Sequence, residues 1–197
     1  DVFMRKEADL DVFFGIAKWT LFFFISAVTM KMLAEEKKTG TLEILLTKAV
    51  NPRQLILGKY LACLMLIMIA LAFTLPYYIS VARIGDIDHG ATLSGYLGLI
   101  LMSSAYIAIG LFASSITNNQ IVAFLLALLI GIVFHFILDV ISSGMRGWAG
   151  NLLSDLSVGK HFDSMSRGVI DTKDILFFAG LTLLGLFLSE TFISKNK

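Results

Sequence analysis

Ionisable side chains are scarce in this chain, so the few inside apolar runs define the chemistry open to it. His135 and Asp139 stand four apart in one such run, a spacing that puts both on one helix face. They would form an intramembrane pair or proton-sensitive site, or a structural hydrogen bond between packed helices. Lys18 lies about 10 Å inside another run. A bare charge there costs about 2.5–3.5 kcal/mol on the lenient scale. It would face a transport path, pair with Asp139, or snorkel outward. Cys63, Met65 and Met68 offer soft sulfur that suits Cu(I), but Met is also common filler in apolar helices. A single cysteine allows no disulfide within the chain. The sequence contains no H-E-x-x-H zinc pair, no G-x-S-x-G nucleophile turn and no G-x-x-x-x-G-K-[ST] phosphate loop. An intramembrane enzyme therefore has no recognisable catalytic set, and the chain is not itself an ATPase. A passive channel or scaffold is left open by composition.

The elements that must carry these residues are membrane helices. Of 197 residues, 57% are hydrophobic and 16% charged, against about 25% charged in soluble domains. Mean hydropathy is +0.82. A net charge of +1 gives no footprint for nucleic acid. Five apolar runs, at about 12–30, 56–80, 94–116, 121–138 and 175–193, can each cross a core of about 30 Å. The expectation is one all-α polytopic membrane domain in a lipid bilayer. Five crossings with an outside start are awkward, so a sixth span is expected ahead of residue 1. Lys and Arg are about twice as dense on the side holding residues 31–55 and the C-terminus as on the other side. The positive-inside rule makes that side cytoplasmic. Tyr77, Tyr78, Tyr96 and Trp148 then fall near the outer interface. Small residues recur four apart, at Ser104 and Ala108, Gly110 and Ser114, and Ala127 and Gly131. They permit close helix packing, expected within the chain more than across a dimer seam.

The polar loop 31–55 is patterned. Glu35, Glu36, Lys37 and Lys38 cluster, and Gly40 breaks the helix where φ > 0 is needed. Thr41 is placed to cap a short helix from Leu42 to about Lys48, with Leu42, Leu45 and Leu46 on one face and Glu43 on another. Asn51, Pro52 and Gln54 predict a capping box for the next helix. Lys59 can snorkel back to the same side. The long segment 139–174 mixes polar residues with Leu152, Leu153, Leu156, Phe162 and Met165, and is expected to form short interfacial or re-entrant helices. Asp171 or Thr172 can cap the last run.

The run from Ala34 to Lys59 resembles the first cytoplasmic loop of type-2 ABC exporter permeases, and within them the gliding-motility and copper-processing (NosY-like) branch. Glu35, Glu36, Gly40, Thr41, Glu43, Leu45, Leu46, Gly58 and Lys59 carry the resemblance. Ala27, Val28, Thr29 and Met30 look like the end of the preceding span. His161, Phe162, Arg167, Gly168, Val169, Ile170, Asp171 and Asp174 are similar to that branch's stretch before its last span. Ala49 stands where the family often has proline, as do Lys18 and Ser26 in the preceding span. The resemblance implies a permease of the cell (inner) membrane that pairs with a second copy or a paralogue. It implies a cytoplasmic ABC ATPase partner, with ATP and Mg on that partner and no cofactor or metal in this chain. Glu35, Glu36, Gly40, Thr41, Leu42, Glu43, Leu45 and Leu46 would form the coupling helix region. Lys18, His135 and Asp139 would line a transport path. His161, Phe162, Arg167, Gly168, Asp171 and Asp174 would gate the outer mouth. The work done would be export or mechanical.

Overall fold

The computed structural model describes residues 10–47, 51–85, 87–145 and 147–195. Arg5, Lys6, Lys48, Ala49, Arg146, Lys197 and the side chain of Leu46 lie outside what is described. Among the described residues every regular element is helical. Helix α1 (Asp11–Thr29) leads into α2 (Ala34–Thr39) and α3 (Thr41–Thr47). Then come α4 (Pro52–Ala72), α5 (Leu75–Ile84), α6 (His89–Ile116) and α7 (Gln120–Ile132). A π turn (Val133–Ile137) passes into α8 (Leu138–Gly144), followed by α9 (Trp148–Asp155), α10 (Val158–Ser166) and α11 (Thr172–Lys195). Five stretches are long and apolar enough to cross a membrane: Asp11–Thr39, Pro52–Ile84, His89–Ile116, Gln120–Gly144 and Thr172–Lys195. The chain is an all-α polytopic membrane protein.

The ends of these rods follow local chemistry. Asn51 and Gln54 form the expected capping box on α4, Gln54 Oε1 accepting from the Asn51 N–H at 3.3 Å. The second apolar run does not end near residue 80. Pro76 has no N–H to give the carbonyl one turn back, so the helix breaks at 73–74 and resumes as α5. The polar loop expected at 81–93 shrinks to residues 85–88. There Asp88 caps α6, its Oδ1 accepting from the N–H groups of Gly90 and Ala91 at 2.8 and 3.0 Å.

Helix α6 is the axis of the bundle. It is buried over 72% of its most apolar stretch, against 22–33% for the other four rods. Glycine, alanine and serine along it let neighbours approach closely. Three glycines form sockets for α1. A β-carbon at Gly95 would overlap the Phe14 ring, one at Gly110 would overlap Thr29, and one at Gly131 on α7 would overlap the Phe22 ring. Phe14, Phe22 and Thr29 are spaced eight and seven apart, so one face of α1 carries all three. Gly185 on α11 meets Ala108 the same way, its β-carbon position 2.9 Å from the Ala108 Cβ. The small-residue spacings thus serve packing within the chain.

Hydroxyls join the rods further. Tyr60 Oη lies 2.6 Å from Ser104 Oγ, which lies 2.9 Å from Thr182 Oγ1, linking α4, α6 and α11. Each such bond is worth about 0.6 kcal/mol in a bilayer. Large apolar side chains such as Leu93, Ile121 and Leu183 point outward along the rods, as lipid contact requires. Cys63 points into the core while Met65 and Met68 face out. The sulfurs therefore diverge, which removes the copper reading.

The sockets give a direct expectation. Gly110→Ala and Gly131→Ala should each cost about 1–3 kcal/mol by overpacking. Gly180→Ala, whose β-carbon meets nothing within 4 Å, should be neutral or mildly stabilising. Thermal unfolding in lipid nanodiscs reads the difference, and three equal midpoints would contradict the socket account.

Candidate functional site

The polar loop folds into an elbow. Gly40 ends α2 with φ 71° and ψ 2°, the left-handed geometry that glycine adopts without strain. Helix α3 starts directly after it. Thr41 does not cap α3 as expected, because it is already the first residue of that helix. Its hydroxyl donates back to the Glu36 carbonyl at 3.3 Å and lies 2.9 Å from Thr39 Oγ1, tying α3 to α2.

Two braces hold the elbow to the rods. Ser114, near the end of α6, accepts from the N–H groups of Leu33 and Ala34 at 3.1 and 2.9 Å. Its hydroxyl donates to the Met30 carbonyl at 3.1 Å. One side chain thereby satisfies both the open end of α1 and the first donors of α2. Lys37 adds a bond to the Ser115 carbonyl. The second brace is Lys59 on α4, which donates to Glu36 Oε1 at 2.6 Å and to the Met32 carbonyl at 2.7 Å. Both side chains of that ion pair are mostly covered, at 17% and 27% exposure.

At the other end of α1, the segment 138–171 folds into α8, α9 and α10, and α10 is anchored on three sides. Phe162 and Met165 are buried against the α6 backbone at Gly98. Lys18 on α1 reaches Asp163 Oδ1 at 2.8 Å and sits 5.7 Å from the centre of the Phe162 ring. His161 Nδ1 lies 2.6 Å from Oδ1 of the buried Asp174, in the first turn of α11. Its Nε2–H donates to the Asp155 carbonyl at 2.8 Å, and its ring stacks on Phe177. Arg167 and Gly168 end α10 in a Schellman turn. Gly168 has φ 88°, its N–H reaches the Met165 carbonyl at 3.0 Å, and the Val169 N–H reaches the Ser164 carbonyl at 3.3 Å. Asp171 caps α11 by accepting from the Lys173 N–H at 3.2 Å. That bond holds its carboxyl below the usual range.

A family model for ABC-2 family transporter proteins matches residues 10–189, nearly the whole chain. The chain belongs to this family. No curated protein matches it. It is thus the membrane component of an ABC-2 type transporter, a multi-pass permease.

In this permease the expected site residues separate into two groups, at opposite ends of a 19-residue helix about 28 Å long. At the elbow, Glu35 and Glu43 are exposed. Glu36 is not available to a partner, because Lys59 holds it. Leu42 turns into the permease's own core at 6% exposure, and Leu45 is half-buried, so they do not form the expected outward apolar face. Ile44, at 59% exposure, stands outward beside Glu43 instead.

At the other end, Lys18 pairs with Asp163 and not with Asp139. His135 and Asp139 do not bond to one another among the described residues. His135 is buried at 5% exposure, while Asp139, just past the π turn, is exposed. His135 Nδ1 lies 2.6 Å from Tyr106 Oη, and its ring packs edge-on to Trp19. Ser114, Tyr106 and Asp163 were not singled out by sequence as polar partners. Ser114 stood in a small-residue repeat, but a contact between residues 18 and 163 leaves no local signal.

The Glu36–Lys59 brace is testable by a double-mutant cycle. Glu36→Gln and Lys59→Met should each destabilise the permease, the second leaving a covered carboxylate without its cation. The coupling energy should exceed about 1 kcal/mol. Additive effects in thermal unfolding would mean that the two side chains do not brace the elbow.

Proposed function

We propose that the elbow is the coupling element of the permease, seating on a cytoplasmic ABC ATPase that binds ATP and Mg and drives the work. The braces are the observation that carries this reading. A short segment can pass movement to the rods only if it cannot yield by itself. Here α2 and α3 are bonded to each other, to the junction of α1 with α6 through Ser114, and to α4 through Lys59. Glu35, Glu43 and Ile44 form the outward surface, an acidic and apolar patch suited to a groove with basic rims. The elbow then lies in the cytoplasm, in agreement with the positive-inside count. The outer segment 139–174 serves as the gate, with α10 as its plug. A second permease copy or paralogue completes the pathway, and the resemblance of both loops supports the gliding-motility and NosY-like branch. The cargo is exported, or the movement itself is the product.

Co-purification with the ATPase tests the docking. Glu43→Lys and Ile44→Asp should weaken capture about tenfold or more while thermal unfolding stays near the parent value. Gly40→Pro, which forces φ to about −65° where the fold needs 71°, should abolish capture. Undiminished capture in all three would remove the elbow as the docking element. Sidedness is read independently. Cys63 is the sole cysteine and is buried, so Glu43→Cys adds one reactive thiol. A membrane-impermeant maleimide should reach it in inverted vesicles and not in intact cells.

A further inference from the structure

Beside α1, at the α10 end of the bundle, a polar cavity of about 470 Å³ opens between α1, α8 and α10. Its ionisable lining is Asp11, Lys18, Asp139, Lys160, Asp163 and Arg167, three groups of each sign. Several are already engaged. Lys18 pairs with Asp163, and Lys160 donates to Ser154 Oγ. Two are not. The Asp139 carboxylate has no partner among the described residues. Arg167 uses only its Nε, donating to the Asp163 carbonyl at 3.0 Å, which leaves both terminal nitrogens open. The wall thus offers one spare acceptor of negative charge and one spare donor fork of positive charge. The floor is left open by Gly15, where a β-carbon would meet nothing within 4 Å.

We propose that this cavity binds a phosphoethanolamine group, its primary ammonium on Asp139 and its phosphate on the Arg167 guanidinium. The balance of charge selects a zwitterion over a simple anion or cation. A guanidinium fork matches phosphate oxygens. A carboxylate that must accept N–H bonds favours a primary ammonium over a trimethylated one, which has none to give. The position fits a headgroup source. The cavity flanks the first two turns of α1, and Val140 and Ile141 on the adjacent α8 expose apolar side chains of the kind that lie against acyl chains. A free phosphoethanolamine compound in the outer medium would present the same chemistry.

The test is native mass spectrometry of the full chain released from micelles holding equimolar phosphatidylethanolamine, phosphatidylglycerol and phosphatidylcholine with identical acyl chains. Phosphatidylethanolamine should be retained about fivefold or more over both others, and Asp139→Asn should bring the three to parity. Gly15→Leu, which fills the floor without meeting a neighbour at its β-carbon, should do the same at an unchanged unfolding midpoint. A parallel titration with soluble phosphoethanolamine separates the sources. Saturable binding there, lost in both variants, assigns the site to a free compound; lipid retention without it assigns the site to a headgroup. Equal retention of the three lipids with no soluble binding would overturn the proposal, as would a preference that survives both substitutions. No ATPase takes part, so the outcome is independent of docking at the elbow.

Discussion

Two helix backbones come close only where side chains are missing, and α1 exploits this three times along one face. Gly95 admits Phe14, Gly131 admits Phe22 and Gly110 admits Thr29. In a bilayer the hydrophobic effect does not drive rods together, since lipid tails are as apolar as the side chains they would replace. Shape is what remains. Filling a glycine socket with an aromatic ring gives many dispersion contacts at once, and each is lost if the rod slides. The spacing of eight and seven residues keeps the three contacts in one line, so α1 moves as a unit or not at all. The polar groups at both ends depend on this seating. Ser114 meets Leu33 and Ala34 only if Thr29 is home in Gly110, and Lys18 meets Asp163 only if Phe14 and Phe22 fix the rod's rotation.

That seating links the two ends of the molecule. The elbow is bonded to the junction of α1 and α6 through Ser114, and α10 is bonded to α1 through Lys18 and packed on α6 at Gly98. Helix α1 is thus held by polar bonds near both of its ends. The His135–Tyr106 bond lies between them, on the same α1–α6–α7 seam, where Trp19 and Phe22 close over the imidazole. It satisfies two polar groups that lipid would leave costly.

Much of this was legible in the sequence for simple reasons. Hydropathy gives rods because the bilayer admits only satisfied backbones, and the elbow's turn is written in Gly40, Asn51, Pro52 and Gln54, which act within a few residues of themselves. The rod ends were less legible. Pro76 broke a run that hydropathy alone treats as continuous, and a shared spacing does not tell that His135 is buried and Asp139 exposed. Polar partners were least legible. Lys18 with Asp163, Tyr106 with His135 and Lys59 with Glu36 join distant stretches, and spacing within a helix carries no information on them. The outward face of α3 was misassigned for a related reason. Leucines at Leu42 and Leu45 signal an apolar face, but not whether the chain itself or a partner covers it.

The two ends of α1 are not equally secured, and the difference has a direction. At the elbow the bonds are backbone N–H groups on a fully buried hydroxyl, with an ion pair whose members are largely covered. Breaking them strands polar groups away from water, at about 1–3 kcal/mol for each group. At the far end the bond from α1 is Lys18 to an Asp163 whose side chain is 55% exposed. Water can reach the Asp163 carboxylate there, while Lys18 is as covered as Lys59, at 18% exposure. The buried His161–Asp174 bond holds α10 to α11 and not to α1. Among the described residues α10 is thus held to α1 by one ion pair with a half-exposed carboxylate, and to α11 by a buried one.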